Sequence, residues 1–389
     1  MRIQNLLTLI AALACCAGAS LADDDRSDRE FDAEPGGTLV LDMESGGSAV
    51  IEGWDENRIR IVWSDRVNEP EDWDVEFETD GDELRMVTEL ANRDIHTSSL
   101  QAEIWVPGRY DIEFESVGGS LHVTGVEGRF SGRTAGGSLE LHDVHADVDL
   151  RTGGGRIEVT DSRVDGRMKT GGGAVLVKNV IGDLRATSGG GNVQYINVRN
   201  TDDEILMPSG LTGDGLGEKT VMISTAGGRI SVKEAPEGAV VSTGGGNVRV
   251  RGADRFADAN TGGGDIEIEL ESGWVSASTG AGDIEVTIDR DDAGDVGYEL
   301  SSGYGDITLV LPGDFGMDLD VDLRYTRGSS RNFGVESDFD VEIEHSGEWE
   351  RRRGSDNWIK HVYGKGEVNG GGRKVRIVTT NGNVYVRKR

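Results

Sequence analysis

The sequence predicts an all-β protein, a parallel β-solenoid (β-helix or β-roll) with 18-residue coils and two short strands in each coil. Three observations lead there. Glycine supplies 59 of 389 residues against only 6 prolines, about twice the usual ~7% and yet far from a collagen composition. Apolar residues recur at a fixed spacing of 18. Within each period they alternate, which is the pattern of strands and not of helices.

The chain opens with what reads as a secretory signal over residues 1–22. Arg2 precedes an apolar stretch from Leu6 to Ala14, and Ser20-Leu21-Ala22 places small residues before Asp23-Asp24-Asp25. The stretch is shorter than the ~18 apolar residues of a membrane helix, and no later run approaches that length. Both cysteines, Cys15 and Cys16, fall inside it, so cleavage after Ala22 removes every thiol. A lipoprotein signal is the rival reading, with Cys15 or Cys16 as the lipidated residue. Leu13-Ala14-Cys15 before Cys16 resembles a lipobox, but with cysteine where Gly, Ala or Ser is usual. Either reading predicts export to the periplasm or cell surface, with no transmembrane span left after signal removal.

Residues 23–110 form a looser, β-rich capping region. Leu41, Met43, Ser45-Gly46-Gly47 and Ile51 look like a first coil, and Ile59/Ile61/Trp63, Val75/Phe77 and Leu84/Met86 look like strands. Residues 111–309 carry the regular repeat. Leu121, Leu139, Ile157, Val175 and Val193 are each 18 apart, and Ile230, Val248, Ile266 and Ile284 resume the series. These mark a B strand. An A strand lies nine residues earlier, as in Phe130/Gly132, Val148/Leu150 and Leu184/Ala186. The break at residues 196–219 reads as one degenerate coil carrying a loop.

Between A and B the corner repeats as Thr152-Gly153-Gly154-Gly155, Thr170-Gly171-Gly172-Gly173, Thr243-Gly244-Gly245-Gly246 and Thr261-Gly262-Gly263-Gly264. Stacked corners leave no room for Cβ, so every glycine there, Gly172 included, is expected to be required. The threonines are expected to stack as a ladder of hydroxyls. Residues 310–389 are irregular apart from a final coil, where Val375/Ile377 and Val384/Val386 flank Thr380-Asn381-Gly382. The aromatic and basic segment His345–Gly372, with Trp349, Trp358, His361 and Tyr363, is either a carbohydrate-binding loop or a hairpin folded over the last coil.

Charge excludes one class of function. Lys+Arg total 40 against 71 Asp+Glu, a formal net charge of −31, which opposes non-specific binding to nucleic acid. No Gly-x-Ser-x-Gly, Cys-x-x-Cys or His-Glu-x-x-His motif occurs. Calcium-binding rolls repeat Gly-Gly-x-Gly-x-Asp-x-apolar-x, whereas here aspartate directly follows the glycines, as in Gly264-Asp265, and only one corner per coil is glycine-rich. His142 and His145, with Asp143 and Asp147, read as a solvated corner. No catalytic residue, metal ligand or cofactor is expected. Asp265, Asp283 and Asp306 should stack as an acidic ladder, solvated or weakly holding a divalent cation.

The one candidate site is basic. Arg133, Arg151, Arg167, Lys169 and Arg185 should form a stripe on the outer A face, suited to an anionic glycan such as lipopolysaccharide or an acidic polysaccharide, to an envelope protein, or to the protein's own acidic segments; the alternative is solubilising charge partly paired to Asp149 and to corner acids such as Asp147 and Asp183.

Several motifs together resemble one family. They are Ile51-Glu52-Gly53-Trp54-Asp55, Val106-Pro107-Gly108, the recurring Thr-Gly-Gly-Gly corners and Thr379-Thr380-Asn381-Gly382-Asn383-Val384. The chain resembles the bacterial putative-adhesin family of β-strand-repeat proteins. That resemblance implies the repeat fold and brings no catalytic residues with it. Some relatives in Gram-positive bacteria are linked to envelope-stress signalling. The leading reading is therefore an exported, non-catalytic scaffold or adhesin-like protein of the bacterial envelope. The alternatives are an envelope-stress sensor that binds a membrane partner, and a polysaccharide-active β-helix enzyme.

Overall fold

The computed structural model describes residues 26–65, 72–91, 100–199, 221–236, 238–290, 297–329, 333–351 and 358–389. Residues 1–25, with the expected signal and Cys15 and Cys16, lie outside the described residues. Every named strand belongs to one mixed sheet.

Alternation builds two ladders whose apolar sides face each other. In the A ladder Phe130, Val148, Gly166 and Leu184 stand on successive parallel strands. In the B ladder Leu121, Leu139, Ile157, Val175 and Val193 do the same. The partner of each residue lies 18 positions on, as the spacing predicts. Leu139, Leu150, Ile157, Val159 and Val177 are all essentially inaccessible, and each such side chain contributes roughly 1.5–3 kcal/mol by leaving water. No single coil encloses a core; the stack does.

Three expectations need correction. The sheet is not parallel throughout, because antiparallel strands close both ends. The break in the repeat holds no degenerate coil in the ladders: Val193 pairs directly with Ile230, and Thr187 with Ser224. The ladder hydrogen bonds therefore continue across the break. Nor does every coil hold two separate strands, since Ile157–Thr170 runs unbroken through both ladders.

At the ends, order along the chain and order in space part company. Thr38–Met43 and Ser48–Trp54 stack directly on Asp111–Ser116 and Leu121–Thr124. Their other edges are covered by Glu83–Leu90 and Gln101–Pro107. Three antiparallel pairings then finish this end, joining Trp73–Asp80 to Glu83–Leu90, Arg58–Ser64 to Gln101–Pro107, and Ser27–Asp32 to Arg58–Ser64. The far end repeats the device. The final coil, Arg373–Thr380 and Val384–Lys388, is sandwiched between Tyr298–Leu311 and the strands Met317–Thr326 and Val335–Ser337. Trp358–Val368 adds antiparallel to Met317–Thr326, and Glu342–His345 to Trp358–Val368. The outermost strands are acidic or short, Trp73–Asp80 carrying four carboxylates and Val335–Ser337 spanning three residues. Such edges resist pairing with another copy.

Candidate interaction faces

Two kinds of corner set the side chains of the outer faces. At the glycine corner each buried hydroxyl reaches across to the previous coil. Thr170 Oγ1 donates to the Gly155 carbonyl at 2.8 Å and accepts the Gly173 N–H at 2.9 Å. Thr152, Thr243 and Thr261 donate in the same way to Gly137, Gly228 and Gly246. The expected hydroxyl ladder thus forms, and it satisfies backbone groups that the corner would otherwise bury unpaired.

The expectation that every corner glycine is required does not hold. A Cβ on Gly173 would overlap the carbonyl of Gly155, and one on Gly171 that of Gly153, but a Cβ on Gly172 meets nothing within 4 Å. The middle position points to solvent, where Gly154, Gly245 and Gly263 also have open space.

The opposite corner turns on left-handed residues that sequence reading missed. Asp143, Asp161, Asn179 and Asn197 all have φ between 51° and 54°, a region that Asn and Asp tolerate better than most residues. Asn179 Nδ2 donates to Asp161 Oδ1 at 2.7 Å, and Asn197 Nδ2 to Asn179 Oδ1 at 3.0 Å. The signal was present, as Asp or Asn recurring every 18 residues. His142, on the same corner, lies 3.0 Å from Thr160 Oγ1 of the next coil.

On the A face the basic residues fall into two rows. Arg133, Arg151 and Lys169 are aligned on neighbouring strands, and Asp149, Arg167 and Arg185 form the row beside them. Arg133 pairs with Glu115 at 3.2 Å, Arg151 with Asp149 at 3.3 Å and Arg185 with Asp183 at 3.7 Å. The exposed side chains of Arg167 and Lys169 have no ion-pair partner among the described residues. A third row runs along the flank and is mostly acidic, with Arg129, Asp147 and Asp165 in register. Asp183 continues it, its N–H donating to Asp165 Oδ1 at 2.6 Å. At the N-terminal end of the stripe a shallow hollow of about 420 Å³ is lined by Asp42, Glu44, Glu115 and Arg133. The five cations therefore lie on one face, but the continuous basic surface narrows to Arg151, Arg167, Lys169 and Arg185.

The acidic ladder on the B side has a structural task. Asp265 Oδ1 accepts the Asp283 N–H at 3.1 Å, Asp283 Oδ1 the Asp306 N–H at 2.8 Å, and Asp306 Oδ1 the Asn383 N–H at 2.6 Å. Beside it, Glu267 bonds both Arg249 and Arg251. Burial pushes the Glu267 carboxyl up, but the two guanidinium groups outweigh it and hold the group below its ordinary value. Among the described residues no group of three or more His, Cys, Asp or Glu could hold a metal, and no helix is long and apolar enough to cross a membrane.

The aromatic segment near the C-terminus forms a hairpin arm, Trp358–Val368 lying antiparallel to Met317–Thr326. Trp349 meets Tyr325 edge-on at 5.6 Å under the Lys360 ammonium. His361 Nδ1 lies 2.7 Å from Asp322 Oδ1, Arg324 bonds the other carboxylate oxygen, and Tyr363 stacks on the imidazole. Burial raises the Asp322 carboxyl, yet its bonds to Arg324 and His361 prevail and lower it. The Asp322–His361 pair spans two antiparallel strands. It ties the arm to the strand beneath it.

These features define an all-β repeat protein with glycine corners, closed ends and flat charged faces. The chain matches no protein-family model and no curated protein. Solved structures of low similarity do match. One is a "putative cell adhesion protein" from Clostridium sporogenes, 10% identical over 94% of this chain and 100% of its own, with a TM-score of 0.17. A second is a "putative adhesin" from Bacteroides fragilis, 12% identical over 74% of this chain and 98% of its own, with a TM-score of 0.27. A third is a "putative lipid binding protein" from Parabacteroides distasonis, 9% identical over 94% and 97%, with a TM-score of 0.26. Function has to be argued from this chain's own residues.

Proposed function

We propose that the chain is an exported, non-catalytic scaffold or adhesin-like protein of the bacterial envelope. In this reading residues 1–22 are its signal, 111–309 a regular parallel β-solenoid, and 23–110 and 310–389 its closing ends. The observation that carries it is the in-phase 18-residue register, from Leu121 through Val193 and on to Ile284. A stack of that kind is a stiff rod whose outer residues stand in rows, suited to contacts repeated along a surface. Polar groups that look chemically active have structural tasks: Asp265 and Thr170 join successive coils, and Asp322 ties the C-terminal arm to its neighbouring strand.

The test is expression of the full chain, with its leader, in a Gram-negative host. The mature protein is expected outside the cytoplasm, beginning at Asp23 or at a lipid-modified cysteine by mass spectrometry. An unprocessed cytoplasmic chain overturns the export reading. Turnover of acidic or neutral polysaccharides by the purified protein overturns the non-catalytic one.

A further inference from the structure

We propose that the A face over residues 145–188 binds a linear polyanionic polysaccharide of the polyuronate class, one carboxylate per sugar, laid along the stacking axis across Arg151, Arg167, Lys169 and Arg185. The proposal depends on the scaffold reading only for where such a polymer is met. Arg167 and Lys169 sit two residues apart on one strand, so they leave the same face. Both are exposed, and neither side chain has a carboxylate partner among the described residues. Arg151 and Arg185 are held only by the exposed carboxylates of Asp149 and Asp183, and exposed pairs of this kind are weak enough to exchange.

Spacing selects the ligand. Neighbouring strands lie ~4.8 Å apart, a step comparable to one sugar ring, so a polymer charged at every ring meets a cation at each coil. Arginine's planar fork accepts a carboxylate in two-point fashion, which a point charge does not.

The surroundings favour a narrow chain over a membrane. Asp147, Asp165 and Asp183 run along one flank, and Asp42, Glu44 and Glu115 close the N-terminal end. A planar anionic bilayer would bring its charge against those acids as well as the cations. A single polymer strand can follow the two basic rows and avoid them.

The experiment measures binding of the purified mature chain to polygalacturonate at low and at physiological salt, with vesicles of phosphatidylglycerol as the competing anionic surface. Salt-sensitive binding to the polymer is expected, weakened about tenfold in Arg167→Ser/Lys169→Ser. Arg249→Ser, on the other face and engaged with Glu267, should bind as wild type does. Circular dichroism checks that the double variant is folded, and Arg167→Gln/Lys169→Gln provides the same reading with longer side chains. Undiminished binding by the double variants, no binding of wild type at low salt, or binding to vesicles but not to polymer each overturns the proposal. Cell fractionation is independent of all three outcomes, so a failure of the export reading is seen separately.

Discussion

The regular coils and the two ends obey the same hydrogen-bonding rules but differ in how the chain finds its neighbour. Between Leu121 and Val193 each strand rests on the one 18 residues later. At the ends the contact distance jumps, with Ile51 beside Val123 and Ile307 beside Val384. In both places a terminal coil is enclosed between the stack and an excursion of the chain, whose strands form the last edge, antiparallel except at Val335–Ser337. Periodicity propagates a stack, and something aperiodic has to stop it.

The sharpest way to break the comparison is to disturb a corner that only the stack requires. Gly173→Val forces a Cβ into the carbonyl of the coil beneath and should cost about 3 kcal/mol or more. Gly172→Val, one residue away with open space above it, should stay within about 0.5 kcal/mol of wild type. Denaturant unfolding of the full chain measures both. Similar losses at the two positions would mean that the corner is not stacked as described.

A smaller effect separates hydroxyls inside the stack from those on its surface. Thr170→Val leaves the Gly155 carbonyl and the Gly173 N–H without their side-chain partner, at a cost of about 2 kcal/mol. Thr187 lies on the outward side of the next strand, partly exposed, and Thr187→Val should change thermal stability little. If Thr187→Val proves as damaging, hydroxyl burial is not what distinguishes the two.

The smallest expected effect belongs to the C-terminal end and depends on pH. Because the folded-state carboxyl of Asp322 titrates below its ordinary value, the stability it contributes is present above the unfolded carboxylate pKa. That stability is lost as pH falls through the lowered folded value. Amide exchange in Trp358–Val368 should therefore accelerate on acidification before exchange in His145–Thr152 does. Asp322→Asn should loosen the arm already at neutral pH, by on the order of 1 kcal/mol. Uniform acid sensitivity along the rod would remove the distinction between end and middle.

Much of this was legible in the residues. Leu139 and Ile157 declare their partnership by spacing alone, because side chains alternate with period two and a slip of one residue would turn the apolar set outward. The basic rows were legible too, since register follows from the repeat. The acidic flank was legible in part, since Asp147 and Asp183 read as corner acids beside the stripe, and the register adds Asp165 between them. Gly172 misled because three consecutive glycines look equivalent, and only the direction of each Cβ tells which one faces the coil below.

By itself the sequence determined which residues face inward, the phase at which coils stack, and the corner where Thr and Gly meet. These are local repeats, and any chain that buries them must keep them in phase. Tertiary structure alone decided which segments close the ends and which cations are left without a carboxylate. A strand edge presents backbone N–H and C=O groups that any extended segment can satisfy, so side-chain pattern does not choose between Gln101–Pro107 and Leu121–Thr124 as neighbours of Ser48–Trp54; it has both. Arg151 and Asp149 leave one strand two residues apart, so their pairing is local, whereas Arg167 and Lys169 stay exposed because of what the neighbouring coils place beside them, an arrangement that exists only once the coils are stacked.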